Sequence, residues 1–260
     1  MIPQAYITGW RKKVPWQEDF QVEQDLIIER SLIEIYSDDF LRERLAFRGG
    51  TALHKLYLAP QARYSEDIDL VQIKSEPIKD TLKALRECLA FIDEKPVVRQ
   101  KANNNTMLFR FESEGGIPLR LKVETNCREH FTVNGIKEIK VAVDSEWFKG
   151  ASIVLTYDIH EMLGTKLRAL YQRKKGRDLF DMWYAMTQTK ADGAAIIDVW
   201  KKYMAEEGNS VSRKEFINNM DRKVSDKEFT GDIQGLLRPG IVFDPNISYE
   251  YVKTELLEKI

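Results

Sequence analysis

The period of the hydrophobic pattern changes twice along the chain. Residues 16–47 carry Phe20, Ile27, Leu32, Ile35 and Leu45 at helical spacing among Glu and Asp, with no Gly or Pro, which predicts two helices broken near Ser37-Asp38-Asp39. FRGGTALHKLYL then sets a Gly pair ahead of a short apolar-periodic stretch, and YSEDIDLVQI alternates as a strand does. Glu76-Pro77 opens a further helix, IKDTLKALRECLAFID, with Pro at its first turn. The middle of the chain switches to period two: VVRQKA, TMLFRFES, IPLRLKVETN, KEIKVAV and ASIVLTY lie between turn clusters such as Asn103-Asn104-Asn105 and Gly115-Gly116. From Asp158 onward helical periodicity returns and persists to EYVKTELLEKI. The expectation is an α+β protein with an N-terminal helical segment over 1–46, a mixed β-sheet core flanked by helices over 47–157, and a helical C-terminal domain over 158–260.

At 260 residues the chain has room for one large domain or two small ones, and 43% hydrophobic with 31% charged residues is a globular composition. Lys+Arg 40 against Asp+Glu 41 gives net charge −1, which excludes a globally basic nucleic-acid-coating protein but leaves a local basic groove open. Cys88 and Cys127 are too few for a disulfide framework and lack the spacing of a zinc or redox pair, so a reduced cytosol fits. The first residues hold no apolar run that serves as a signal, and no uncharged stretch approaches the roughly 18 residues of a spanning helix. A soluble cytoplasmic protein without a membrane association is expected.

Candidate chemistry begins at Ser65-Glu66-Asp67-Ile68-Asp69-Leu70. The strand period puts Asp67 and Asp69 on one face and turns Ile68 and Leu70 into the core. In LRLKVET, Leu119, Leu121 and Val123 form the buried side, and Glu124 shares the polar side with Arg120 and Lys122. If the two strands are neighbours, Glu124 becomes a third ligand. Three carboxylates with water and phosphate oxygens make the oxygen environment that Mg²⁺ requires, with room for two ions about 3.5–4 Å apart. Asp-x-Asp alone is also the pattern of a solvated strand face. The context is Gly49-Gly50-Thr51 upstream, where a Gly pair entering a helix lets backbone N–H groups approach a phosphate chain; an ordinary turn is the alternative.

FRGGTALHKLY followed by RYSEDIDL resembles the AbiEii/AbiGii abortive-infection toxin family, a branch of the polymerase-beta-like nucleotidyltransferase superfamily that includes the MenT toxins. The resemblance extends to LKVETN and KLRALYQRKKGRDLFD, from about Phe47 to Asp181. It implies a nucleotidyltransferase-type sheet core, with Asp67, Asp69 and Glu124 carrying metal and catalysis. Gly49, Gly50, Thr51 and Ser65 then hold the triphosphate. Thr51 stands where the superfamily pattern has Ser, keeping the hydroxyl and adding a methyl, and the spacer to Asp67 is longer.

A second block lies downstream. Leu163, Leu167 and Leu170 form an apolar stripe, and Lys166, Ala169 and Arg173 fall on another line that suits a triphosphate. Read from the residues alone, a solvated Lys166 and an i,i+4 pair of Arg177 with Asp181 are the preferred readings. The family carries a Lys motif and an Arg-Asp-x-x-Asp motif in this order. The resemblance therefore implies that Lys166 neutralises nucleotide phosphates, while catalytic Asp178 and Asp181 orient Lys166 or a base. Six basic residues lie from Lys166 to Arg177 without an acid between them, either a solvated run or a track for an RNA backbone. His54, His130 and His160 show no metal spacing, and Tyr57 and Tyr64 are open between base stacking and packing.

The expected function is metal-dependent transfer of a nucleoside monophosphate from an NTP, with Mg²⁺ or Mn²⁺. The resemblance implies an RNA acceptor such as a tRNA 3′ end, a role as the toxin of an abortive-infection system, and an antitoxin partner. Transfer to a small molecule such as an antibiotic, transfer to a protein, and a non-catalytic nucleotide-binding module are the alternatives.

Overall fold

In the computed structural model, which describes residues 2–101 and 103–260, the chain divides into two units, Met1–Tyr157 and Asp158–Ile260. Among the described residues the first unit has seven strands: β1 (Leu45–Arg48), β2 (Asp67–Gln72), β3 (Val97–Gln100), β4 (Asn104–Glu112), β5 (Pro118–Asn126), β6 (Ile136–Asp144) and β7 (Lys149–Tyr157). They form one mixed sheet in the order β3-β4-β5-β2-β1-β7-β6. β2 runs parallel to β5 and β1 parallel to β7, and the other pairs are antiparallel.

The helices of this unit are α1 (Gln4–Arg11), α2 (Asp19–Ser37), α3 (Asp39–Arg42), α4 (Gly49–Leu56) and α5 (Lys79–Cys88). Asp38 breaks the chain between α2 and α3, its side chain accepting the Leu41 N–H at 2.9 Å. α2 lies against β7 and buries Val22, Leu26, Ile28, Leu32 and Tyr36, so the N-terminal helical segment covers the sheet and is no unit of its own. Leu45 belongs to a strand rather than to the helical segment expected over 1–46. Leu45-Ala46-Phe47 is a short, wholly buried apolar run between β2 and β7, and such a strand shows no alternation by which to tell it from helix. α1, with Ile7 and Trp10 buried, lies within the helical segment expected over 1–46 but ahead of the two helices that the pattern marks out over 16–47.

β4 and β5 have one covered side and one open side. Met107, Phe109, Phe111, Leu121 and Val123 are buried, whereas Arg110 and Arg120 are exposed and Lys122 and Glu124 half-buried. This follows directly from the period-two pattern.

The second unit is helical among the described residues: α6 (Ile159–Gln172), α7 (Gly176–Gln188), α8 (Gly193–Glu206), α9 (Arg213–Val224), α10 (Lys227–Gly231) and α11 (Pro245–Glu255), with a closing 3₁₀ turn at Leu257–Lys259. Leu163, Leu167, Phe180, Trp200, Tyr203 and Phe216 make its core. Asp158 caps α6, and Ser212 with Glu215 forms a capping box on α9. No helix of the described residues is long and apolar enough to cross a membrane.

Candidate active site

The site is assembled where three strands run side by side. β1 and β2 are antiparallel with Arg48 opposite Asp69, and β2 and β5 are parallel with Asp67 opposite Lys122 and Asp69 opposite Glu124. Residues opposite one another share a face. Asp67, Asp69, Lys122 and Glu124 therefore stand together on one side of the sheet, while Ile68, Leu70, Leu121 and Val123 anchor their strands from the other side.

Immediately after Arg48 the chain turns at Gly49 with φ +84° and enters α4. A Cβ on Gly49 would lie 2.1 Å from Asp69 Oδ2 and 2.8 Å from its Cγ. Glycine is required here both for the left-handed conformation and for the carboxylate packed on it. The Gly49-Gly50 entry to α4 thus adjoins Asp69. Thr51 is fully buried: its hydroxyl donates to the Asp67 carbonyl oxygen at 2.5 Å and lies 2.7 Å from Ser65 Oγ. Thr51 and Ser65 hold the start of β2 against α4, so the Thr51 hydroxyl faces the fold and not an open phosphate site.

Electrostatics mark the carboxylate face as poorly compensated. Burial, the Asp67 charge and the Glu124 charge raise the Asp69 carboxyl above its usual range, against the weaker pull of Lys122 and Arg48. Lys122 Nζ lies 3.1 Å from Asp67 Oδ2 and 3.3 Å from Glu124 Oε2. Burial works to lower the Lys122 ammonium, but Asp67, Asp69 and Glu124 outweigh it and hold the group above its usual value. Among the described residues no three His, Cys, Asp or Glu side chains close on one point that holds an ion. The donor set nevertheless fits a hard divalent cation. Its oxygens are all carboxylate, they repel one another, and an ammonium is drawn between two of them.

The second block forms a separate cluster within the C-terminal unit. Lys166 is buried on α6, with Nζ 3.2 Å from Asp178 Oδ1 and 2.9 Å from Asp181 Oδ2. Arg173 grips Asp178 with two donors, Nε at 2.6 Å and Nη2 at 2.7 Å. Burial works to raise the Asp178 carboxyl, but Lys166 and Arg173 hold it below the usual range. Lys166 is therefore not a solvated lysine, and Arg177 pairs with Asp232 at 3.5 Å.

The basic run is tied to acids throughout. Arg168 meets Glu207 at 3.0 Å, Lys174 meets Asp226 at 2.6 Å and Lys175 meets Asp232 at 3.5 Å. Each cation of the run has an acidic partner, while the side chains of Arg173, Lys174, Lys175 and Arg177 stay 40–53% exposed. Tyr57 donates to the Tyr157 carbonyl at 2.5 Å and Tyr64 packs edge-on against Trp16 at 5.4 Å, which assigns both to packing. His54 is buried in α4, while His130 lies 2.9 Å from the Gln72 carbonyl and His160 2.9 Å from Asp158.

Two features lie outside the sequence reading. Lys122 is a member of the site, and its only signal is its place two residues before Glu124 on the same strand side. A buried hub also ties α4 to α2. Asp25 accepts from Lys55 at 2.8 Å, Gln61 at 2.9 Å, and the Trp10 and Trp16 indoles at 3.2 Å each, and Lys55 also reaches Glu29 at 2.8 Å.

The site is thus a mixed sheet with carboxylates on adjacent strands and a glycine turn packed against Asp69. The model of the nucleotidyl transferase AbiEii toxin family, a type IV toxin–antitoxin system, matches residues 30–252, and the chain belongs to that family. Two solved structures share the fold. MenT4, the nucleotidyltransferase toxin Rv2826c from Mycobacterium tuberculosis H37Rv, is 16% identical, with 100% of this chain and 91% of that one covered and a TM-score of 0.67. JHP933 from Helicobacter pylori is 18% identical, with 94% of each chain covered and a TM-score of 0.58. Among curated proteins nothing matches.

Proposed function

We propose that this nucleotidyltransferase moves a nucleoside monophosphate from an NTP to an RNA acceptor, a tRNA 3′ end being the form the family resemblance suggests. It would act in the cytoplasm as the toxin partner of an antitoxin in defence against phage. The observation that carries this reading is the strand register that gathers Asp67, Asp69 and Glu124 on one face, with Gly49 beneath Asp69. Gly49 and Gly50 at the entry to α4 offer backbone N–H groups to a triphosphate. A divalent ion, Mg²⁺ or Mn²⁺, held by Asp67, Asp69 and Glu124, would supply charge neutralisation at the phosphate oxygens.

In the transfer, the acceptor hydroxyl oxygen bonds to the α-phosphorus. The bond from that phosphorus to the α–β bridging oxygen breaks, and pyrophosphate leaves with the electron pair. The hydroxyl proton passes to the carboxylate face. Charge growing on the transferred group and on pyrophosphate is what positioned cations stabilise. Lys166 stays with Asp178 and Asp181 inside its own unit, where the three form a buried ionic cluster.

The test is incubation of pure protein with total RNA, Mg²⁺ or Mn²⁺ and each labelled NTP. Label in tRNA supports the reading. Label confined to protein or to a small molecule redirects the acceptor, and no transfer with any NTP contradicts the reading.

A further inference from the structure

The open side of β3, β4 and β5 continues the carboxylate face and carries three exposed arginines. Arg110 on β4 stands directly opposite Arg120 on β5, and Arg99 on β3 stands opposite Thr106, which in turn faces Glu124. Two like charges directly opposite on one face destabilise a strand pair. Among the described residues no ion pair joins Arg99, Arg110 or Arg120 to an acid. Asp93 accepts the Arg110 backbone N–H at 3.0 Å, and Glu112 is the acid one step further along the same side of β4. The contrast is with the run from Lys166 to Arg177, where each cation has an acidic partner. Fixed positive charge held together without compensation, on a folded surface, is a standing demand for an anion.

We propose that this side of the sheet is where the 3′-terminal strand of the RNA acceptor lies, with the Arg110/Arg120 pair gripping its phosphates. The assignment rests on the RNA reading above. Same-side positions along β5 run Arg120, Lys122, Glu124, so along the strand the arginine pair is about 7 Å from Lys122 with Asp67 opposite it and about 13 Å from Glu124 with Asp69 opposite it. A backbone held at the arginines therefore extends its terminal hydroxyl toward the carboxylate face. Between the arginines, Val97 and Leu108 stand opposite one another, half-buried, and give an apolar floor for a base. Guanidinium forks match phosphate oxygens two at a time, which a lysine run does not. A small-molecule acceptor has no use for charge spread over three strands.

The experiment compares wild type, the Arg110→Gln/Arg120→Gln double variant and a Lys174→Gln/Lys175→Gln control in binding 3′-labelled tRNA across salt concentrations. The arginine variant should bind tRNA at least about tenfold more weakly, and its salt slope should flatten by about 1.4 log units for two lost contacts to a single strand. Its melting temperature should equal or exceed wild type, because the opposed charges are gone, and the thermal shift by NTP with Mn²⁺ should persist. The control should keep the wild-type slope. Wild-type affinity and slope in the arginine variant overturn the assignment, as does an equal loss in the lysine control, which would reduce both to net charge. If wild type itself neither binds nor labels RNA, the RNA reading falls first and this assignment with it.

Discussion

Gly49→Ala tests the geometry of the site more sharply than removal of any charged group. The new Cβ would meet Asp69 Oδ2 at 2.1 Å, where ordinary contact begins at 3.4 Å, and the residue would keep a φ of +84°. Left-handed backbone costs an alanine about 1–2 kcal/mol, and forcing a methyl into filled space costs about 1–3 kcal/mol more. The sum, about 2–5 kcal/mol, lowers the melting temperature by roughly 4–20 °C for a chain of this size. If Asp69 swings away to relieve the overlap, its carboxylate leaves the place opposite Glu124, and transfer should fall by orders of magnitude even where the protein stays folded. A double-mutant cycle with Asp69→Ala isolates the contact. That change removes Oδ2 and Cγ but leaves the Asp69 Cβ, 2.9 Å from the new methyl. Gly49→Ala should then cost about 1 kcal/mol less in the Asp69→Ala background than in wild type. Additivity within about 0.3–0.5 kcal/mol would show that Asp69 does not lie over Gly49 and would refute the reasoning.

Other outcomes follow from the same contacts. Lys122→Met should lower the melting temperature of the metal-free protein and tighten Mn²⁺ binding about tenfold, read by calorimetry, because the ammonium between Asp67 and Glu124 competes with the ion; unchanged Mn²⁺ affinity would contradict this. Asp178, held low in the fold, contributes stability that is present above the unfolded carboxylate value and is lost as pH falls through the folded one. Wild type should therefore lose stability as pH drops below about 4. Asp178→Asn should be flatter in that range and about 3–5 kcal/mol less stable at neutral pH, with Lys166 short of a partner; identical pH profiles of melting temperature would count against the network. Lys55→Met strands Asp25 and Glu29 without their cation and should cost about 3–5 kcal/mol by denaturant unfolding; a change under 1 kcal/mol would remove the hub from the account.

The strands β4 and β5 were legible because each alternates, and alternation is what a sheet with one covered and one open side requires. β1 was hidden for the opposite reason: Leu45, Ala46 and Phe47 are all buried, without alternation, and read like the end of the helix before them. The carboxylates were legible as residues, but their assembly depends on β2 pairing with β5, a long-range fact no local pattern encodes. Lys122 was visible on the correct side of its strand, and only the register brings its ammonium against Asp67. The run from Lys166 to Arg177 misleads for a related reason. Arg168, Lys174, Lys175 and Arg177 have their acidic partners, Glu207, Asp226 and Asp232, far along the chain, so a sequence window shows these cations without what neutralises them.

The central claim is that the Asp67/Asp69/Glu124 face performs nucleotidyl transfer, and the position of the label decides it. Pure protein is incubated with RNA, Mn²⁺ and an NTP labelled at the α-phosphate or, in parallel, at the γ-phosphate, alongside Asp67→Asn and Asp69→Asn variants whose melting temperatures are measured. Label should enter the acceptor from the α-phosphate only and appear in pyrophosphate from the γ-phosphate. Both variants should be inactive, with melting temperatures at or above wild type. Acceptor labelled from the γ-phosphate, or full transfer by either variant, would contradict the account.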